Sequence, residues 1–232
     1  MRILKLKRKR WRFPEDLKKV KNIAIFMPEN GTSVFLLPYL LQNSKKNITL
    51  IFKDELLPNF LKIKNSFSII DHKIKEIIKK QEIVIDASIE PYPKKFLKKS
   101  HFIIKLGENL HKGINYNFIY FLKAPVLSEK VYKNFFSFFK INPTKLPRNL
   151  IKQKLLPKEN ITVSYGIKND NPAIVDLSTI ESEAEKLNYI IKAKEYKGIL
   201  SLFFEIAYLL NKDVSLKLKE KPPYIDENIK IL

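Results

Sequence analysis

Residues 22–86 alternate short apolar runs with segments of helical period, and this alternation constrains the fold more than any other feature of the chain. Runs of this length and composition are typical of strands buried on both faces of a sheet. They predict strands at Asn22–Met27, Asn47–Phe52, Phe67–Ile70 and Glu82–Asp86. The intervening periodicity predicts helices at Val34–Gln42, Glu55–Ile63 and Lys73–Lys80. The resulting β-α-β-α-β-α-β order indicates a Rossmann-like parallel sheet with helices on both faces.

The rest of the chain predicts a second, smaller α/β unit. Strands at His101–Lys105 and Tyr116–Phe121 and a helix at Val126–Lys140 complete the first unit. Three prolines then indicate a linker. Further apolar segments and one helix follow, at Ile161–Tyr165, Ala173–Leu177, Tyr189–Ala193, Leu200–Leu210 (the helix) and Val214–Leu218. We therefore divide the chain into a basic arm (1–20), a Rossmann-like domain (21–141), a linker (142–159) and a short α/β domain (160–232).

The charge of the chain leaves two interpretations open. Forty-four Lys and Arg against 24 Asp and Glu give a net charge of +20. Such an excess attracts polyanions such as nucleic acid, anionic lipid or phosphorylated ligands. It also follows from a Lys-rich composition that merely solvates the surface. The densest cluster, Lys5–Phe13, is open to both readings, as a binding arm or, the reading we favour, a solvated terminus.

Several classes of protein are disfavoured. No run of about 18 apolar residues is present, so we expect a soluble, intracellular protein. Three histidines, no cysteines and no His-Glu-x-x-His sequence make a zinc site improbable, and we expect no metal or cofactor. The sequence also has no Walker A loop, no Gly-x-Gly-x-x-Gly and no Gly-x-Ser-x-Gly.

The loop Pro28–Ser33 is the best-placed candidate site. Ligands of open α/β sheets bind at the carboxyl ends of the strands, and this loop follows the first predicted strand. Gly31 permits close approach of the backbone, and the hydroxyls of Thr32 and Ser33 suit an oxyanion. The competing interpretation is a plain strand-to-helix turn with a Thr or Ser cap.

Four segments carry a resemblance to a known family. Asn22–Lys53, with the loop and helix at 30–41, combines a strand, a Gly-containing loop, an apolar helix near a Pro and a second strand. Lys79–Asp86 gives a strand ending in Asp, Val131–Ile141 a long helix, and Lys197–Val214 a Gly-containing segment before a helix. Together they resemble family 9 glycosyltransferases, the ADP-heptose:lipopolysaccharide heptosyltransferase group. The resemblance implies a GT-B-like fold with a truncated second domain.

The resemblance also implies functional residues. The family's loop aspartate, its general base, falls at Thr32, whose hydroxyl has no suitable pKa, so Glu29 is the substitute base. The donor motif is replaced by Glu195–Gly198 and Ser201, which weakens the expected diphosphate site. The expected sets are catalytic Glu29 and Thr32; donor-binding Lys197, Gly198, Ser201 and Glu205; and acceptor-side Asn30, Gly31 and Ser33.

Two functions follow as hypotheses. The first is a divergent or degenerate heptosyltransferase-like enzyme, cytoplasmic and peripheral to the inner membrane. It would transfer a sugar from a nucleotide-sugar donor to a lipopolysaccharide-like acceptor at an anionic lipid surface. The alternative is a non-catalytic basic α/β module that binds nucleic acid or another polyanion.

Overall fold

The structure is a computed structural model that describes most of the 232 residues. The described residues are 3–5, 15–29, 31–40, 46–61, 63, 65–97, 102–123, 125–143, 159–168, 170–220, 222 and 225–232. Within them, two α/β lobes are formed, each around its own sheet.

The N-terminal lobe contains a seven-stranded sheet. Its strands are β1 Ile3–Lys5, β2 Asn22–Phe26, β3 Asn47–Phe52, β4 Ser66–Ser68, β5 Ile83–Asp86, β6 Ile103–Leu106 and β7 Phe118–Tyr120. They lie in the order β1-β7-β6-β5-β2-β3-β4, and all pairs are parallel except β1 with β7. The order reverses direction between β2 and β5, which is the topological switch point of a Rossmann sheet. Ile3–Lys5 of the predicted basic arm therefore form an edge strand.

The helices of this lobe are shorter than the periodicity predicted. They are α1 Glu15–Lys19, α2 Leu37–Leu40, α3 Leu56–Phe60, α4 Ile74–Lys79, α5 Lys94–Leu97 and α6 Lys133–Ser137. In its described part, residues 34–40, the predicted helix Val34–Gln42 is a 3-10 turn at Ser33–Phe35 followed by α2, and residues 41 and 42 lie outside the described residues. The predicted helix Val126–Lys140 is likewise a 3-10 turn at Glu129–Tyr132 followed by α6. It starts late because Ser128 is extended, and it stops where Lys140 adopts a positive φ of 57°.

The sheet is buried on both faces, as the apolar runs predict. In β2, Ile23 and Ile25 belong to one core cluster, whereas Ala24 and Phe26 belong to another on the opposite face. Successive strand residues point to opposite faces, so a run without polar residues supplies both cores at once.

The C-terminal lobe contains five parallel strands. They are β8 Thr162–Tyr165, β9 Ile174–Asp176, β10 Glu195–Gly198, β11 Asp213–Leu216 and β12 Ile229–Ile231, in the order β12-β11-β10-β8-β9. Two helices pack with them, α7 Glu183–Lys192 and α8 Leu202–Leu209. Two expectations were wrong here. Tyr189–Ala193, expected as an apolar segment outside the one predicted helix of this unit, ends α7, and Glu195–Gly198, expected as a donor loop, is the central strand of the sheet.

One continuous core joins the lobes. Phe35 of the N-terminal lobe lies 5.1 Å, centroid to centroid, from Tyr208 on α8, and its core cluster extends through Phe204 to Tyr196. The predicted Rossmann-like sheet and second, smaller α/β unit are confirmed. Of the helices in the described part of the chain, none has the length and apolar character needed to cross a bilayer.

Candidate functional site

The carboxyl edges of the two sheets face each other across a cleft of about 740 Å³. On the N-terminal side it is lined by the loop after β2 and by the loop and helix after β3. On the other side it is lined by Tyr165, which ends β8, and by residues 199–202 and 205, which follow β10. Since β8 and β10 flank the point where the second sheet reverses direction, the cleft brings together the switch points of both lobes.

The two lobes touch at Gly31. Gly31 has a φ of +82°, and a Cβ atom there would lie 2.6 Å from the backbone N of Ser201. Ser201 is the N-cap of α8, and its Oγ accepts a hydrogen bond from the N–H of Phe204 at 3.3 Å. A side chain at position 31 would therefore push the start of α8 away, and only glycine permits this approach.

The hydroxyl of Ser33, predicted to bind an oxyanion of a ligand, contacts a carboxyl group of the protein itself. The hydroxyl of Ser33 and the N–H of Val34 (3.0 Å) both donate to Oε1 of Glu205, which reaches across from α8. Glu205 is only 4% exposed. Burial raises the pKa of its carboxyl to about 7, although the two donors oppose that shift.

Glu29 is held by backbone amides. Its Oε2 accepts a hydrogen bond from the N–H of Ile89 at 2.7 Å, and its Oε1 accepts from the N–H of Glu90 at 3.2 Å. Burial raises the pKa of Glu29, whereas these hydrogen bonds lower it, and the net direction is upward. The carboxylate proposed as general base thus ties the loop after β2 to the loop after β5.

A buried polar network lies beneath the loop after β5, and sequence reasoning missed it. Asp86 ends β5 and accepts hydrogen bonds from the hydroxyls of Ser88 (2.5 Å) and Tyr116 (2.6 Å). The Nζ of Lys105 lies 3.4 Å from Asp86 Oδ1 and donates to the carbonyl of Ser88 at 2.5 Å. The Nε2 of His111 lies 2.9 Å from Ser88 Oγ. Burial lowers the pKa of both Lys105 and His111.

The only sign of this network in the sequence is a strand that ends in Asp at position 86. Its partners are 2 to 30 residues away along the chain. No local pattern places a lysine, a histidine and a tyrosine around one carboxylate at those separations.

Lys197 does not line the cleft. It lies on β10, and its Nζ is 3.3 Å from Oε2 of Glu195 two residues earlier on the same face of the strand. The side chain is 32% exposed. Gly198 follows it, and a Cβ there would lie 2.5 Å from the carbonyl oxygen of Tyr165, so this position serves close packing between strands.

The structure brings part of the predicted site together. Gly31 and Ser33 of the acceptor-side set meet Ser201 and Glu205 of the donor set at the cleft. Thr32 is buried beside a separate cavity of about 40 Å³, and its hydroxyl donates to the carbonyl of Glu29 at 3.3 Å. Asn30 lies outside the described residues.

Among the described residues that line the cleft, carboxylates outnumber cations. One lysine, Lys53, faces four acidic side chains, which are Glu29, Asp54, Glu55 and Glu205. Lys53 is itself paired with Glu90 at 2.5 Å. Within the described ranges, His, Asp and Glu side chains nowhere gather in threes that could hold a metal ion.

Two doubly wound parallel sheets that face each other across a cleft define the GT-B-like class of fold. The structure matches solved members of that class over 91% of its length. No protein-family model matches the sequence, and no curated protein matches it by sequence.

The matching structures are glycosyltransferases. A family 9 glycosyltransferase from Veillonella parvula DSM 2008 has a TM-score of 0.57 at 10% identity, with 86% of that chain covered. The E. coli heptosyltransferase WaaC with ADP-2-deoxy-2-fluoro heptose has a TM-score of 0.59 at 9% identity, with 92% covered. The E. coli ADP-heptose lipopolysaccharide heptosyltransferase II has a TM-score of 0.52 at 9% identity, with 90% covered. At these identities the likeness concerns the fold.

Proposed function

We propose that the chain is a divergent glycosyltransferase of the heptosyltransferase type. It binds a nucleotide-sugar in the cleft between the lobes and transfers the sugar to a hydroxyl of a lipopolysaccharide-like acceptor. The observation that supports this most is the cleft itself, because the loops at both switch points line it. Ligands of doubly wound folds bind at that place. WaaC has been solved with ADP and with an ADP-heptose analogue, so ADP-sugars are the first donors to test.

The reaction needs a base for the acceptor hydroxyl and positive charge for the departing diphosphate. We assign the base to Glu29, which lines the cleft and whose pKa burial raises. The first turn of α8 begins at Leu202 on the cleft wall, and the positive end of the helix dipole there suits the diphosphate. Lys53 lines the cleft as well and is the better-placed cation, since Lys197 is turned to Glu195.

Donor binding is tested by calorimetry and thermal shift with ADP, UDP and GDP and with their sugars. A ligand at 100 times its Kd stabilises the fold by about 2.7 kcal/mol, which is readily measured. Ile70 is 70% exposed on the cleft, so Ile70→Glu adds a negative charge there without disturbing the core. We expect it to weaken donor binding about fivefold, because two charges a few Å apart in water interact by about 1 kcal/mol.

The matched control is Leu110→Glu. Leu110 is 52% exposed and does not line the cleft, so it makes the same change in net charge elsewhere. Equal weakening by both variants, or no stabilisation by any nucleoside diphosphate, would contradict binding in the cleft.

A non-catalytic basic module that binds nucleic acid or another polyanion is the second candidate. Its lack of catalysis is supported by the intramolecular engagement of Glu29, Lys197 and Glu205, and by the excess of carboxylates in the cleft. The two candidates are separated by following the bound nucleotide-sugar. A transferase releases the nucleoside diphosphate when an acceptor is added, whereas a binding module returns the donor intact.

A further inference from the structure

The loop after β5 presents successive backbone N–H groups to carboxylates. The N–H of Ser88 donates to Asp86 at 3.1 Å, and the next two, of Ile89 and Glu90, donate to Glu29. Consecutive N–H groups that converge in this way form a concave site for an anion. The carboxylate of Glu29 thus occupies, with both its oxygens, a place that would also fit two oxygens of a phosphate group.

Buried residues under the sheet edge hold the loop after β5 in this conformation. Asp86 accepts hydrogen bonds from both the N–H and the hydroxyl of Ser88, and Lys105 donates to its carbonyl oxygen. Asp86 and Lys105 are fully buried. Because these contacts fix Ser88 independently of Glu29, the two following N–H groups keep their direction when Glu29 leaves.

The present occupant is accessible from solvent. Glu90 is exposed, Ile89 is half-buried beside the smaller cavity of about 40 Å³, and Glu29 itself borders the large cleft, so a ligand can reach the site. Burial disfavours the charged form of Glu29 and raises its pKa, although the amide hydrogen bonds from Ile89 and Glu90 lower it. Lys53, paired with the Glu90 side chain, supplies positive charge at the rim.

We propose that the N–H groups of Ile89 and Glu90 form a phosphate subsite that Glu29 occupies in the unliganded protein and that a ligand phosphate takes over. The exchange releases the Glu29 carboxylate into the cleft, so the base assigned above becomes free only when a phosphorylated ligand is bound. This deepens the proposed function and rests on it for the source of the phosphate, which is either one phosphate group of the donor, the other being the one assigned to α8, or the phosphate of a phosphorylated sugar.

The test compares phosphate binding by the full chain and its variants, with inorganic phosphate as the probe. Glu29→Ala empties the site, and we expect its affinity for phosphate to rise about tenfold, because Glu29 no longer competes for the two amides and a ligand binds in proportion to the free fraction of its site. Glu29→Gln keeps one acceptor oxygen, so we expect an intermediate gain in affinity for phosphate. This variant replaces Glu29→Ala in the test if the Ala variant does not fold. Glu55→Ala removes the same charge from the same cleft without vacating the amides, and we expect about a twofold gain from screened charge alone.

Amide-resolved NMR locates the bound phosphate. In Glu29→Ala, the resonances of Ile89 and Glu90 should shift most during the titration. ADP and glucose 6-phosphate are titrated in parallel to identify the source of the phosphate. If ADP shifts the same two amide resonances, the source is the donor; if glucose 6-phosphate shifts them, it is a phosphorylated sugar. Equal gains for Glu29→Ala and Glu55→Ala, or shifts that omit these amides, would overturn the subsite. Failure of the wild-type chain to bind any nucleotide-sugar would instead remove the transferase proposal and leave the phosphate result intact.

Discussion

At the residue scale, Glu205 has the most altered chemistry among the cleft side chains. It reaches from α8 to Ser33 and Val34 in the other lobe, so its carboxylate holds the two lobes together. Its pKa of about 7 lies above the ordinary value of 4.5 because the group is fully buried. The contact therefore changes charge near neutral pH.

The pKa of Glu205 predicts how stability depends on pH. The folded state binds this proton more tightly than the unfolded state, so its contribution is fully present below about pH 4.5 and is lost as the pH rises to about 7. The loss amounts to about 3 kcal/mol, since one pKa unit corresponds to about 1.4 kcal/mol. In Glu205→Gln this dependence should disappear. Urea unfolding between pH 4.5 and 8 measures it, and parallel curves for the two proteins would show that Glu205 titrates normally.

At the scale of elements, the meeting of the loop after β2 with the start of α8 depends on Gly31. A Cβ at Gly31 would meet backbone atoms of Ser201, which cannot rotate away. Gly113 has nearly the same φ, +85°, but the nearest atom to its Cβ would be the flexible end of Lys94 at 3.3 Å. Comparing alanine substitutions at these two glycines therefore separates the cost of a positive φ from the cost of disturbing the contact between the lobes.

We therefore expect Gly31→Ala to destabilise the protein more than Gly113→Ala does. Both variants bear a cost of about 1 kcal/mol for a positive φ. Gly31→Ala bears a further cost of about 2 kcal/mol for overpacking against Ser201. Denaturant midpoints of the two variants give the difference directly. Equal midpoints would mean that the lobes do not pack at Gly31 as described.

The strands and helices also show how much of the fold can be predicted from the sequence. Strands β2 and β5 were predictable, because a parallel strand buried on both faces requires a run such as Ile23–Phe26 without polar residues. The lengths of the helices were not predictable. Phenylalanines at helical spacing, such as Phe135 and Phe139, also reach the core when the segment is a 3-10 turn followed by a short helix. The donor segment was misread because Gly198 resembles a loop glycine, whereas it allows close packing inside the sheet.

The candidate site was predictable only in its position. A loop at a carboxyl edge with Gly31 and Ser33 is visible in the sequence, and so is its suitability for an oxyanion. That the oxyanion is Glu205, 172 residues away, is not, since no local pattern links the two. The same holds for the contacts of Glu29 with Ile89 and Glu90, about 60 residues away.

For the whole molecule, the net charge of +20 is unevenly distributed along the chain. The first 14 residues contain seven basic residues and no acidic one, and the chain has five arginines in all. The described cleft is rich in carboxylates, and four of the arginines belong to the first 12 residues. We therefore expect polyanions to be attracted to the N-terminal basic run. The cleft in which a nucleotide-sugar is proposed to bind is a different site.

This separation predicts that the two kinds of binding can be removed independently. Replacing Lys7, Arg8, Lys9 and Arg10 by Gln should reduce the salt dependence of binding to a single-stranded oligonucleotide by a slope of about 3, since each neutralised phosphate contributes about 0.7. Nucleotide-sugar binding should be unchanged in this variant. Ile70→Glu should give the reverse pattern, with weakened nucleotide-sugar binding and an unchanged salt slope. Fluorescence anisotropy over a salt series measures the first ligand and calorimetry the second. If the basic-run variant lost both ligands, the cleft and the basic run would form one polyanion site, and the binding module would replace the transferase as the better account of this chain.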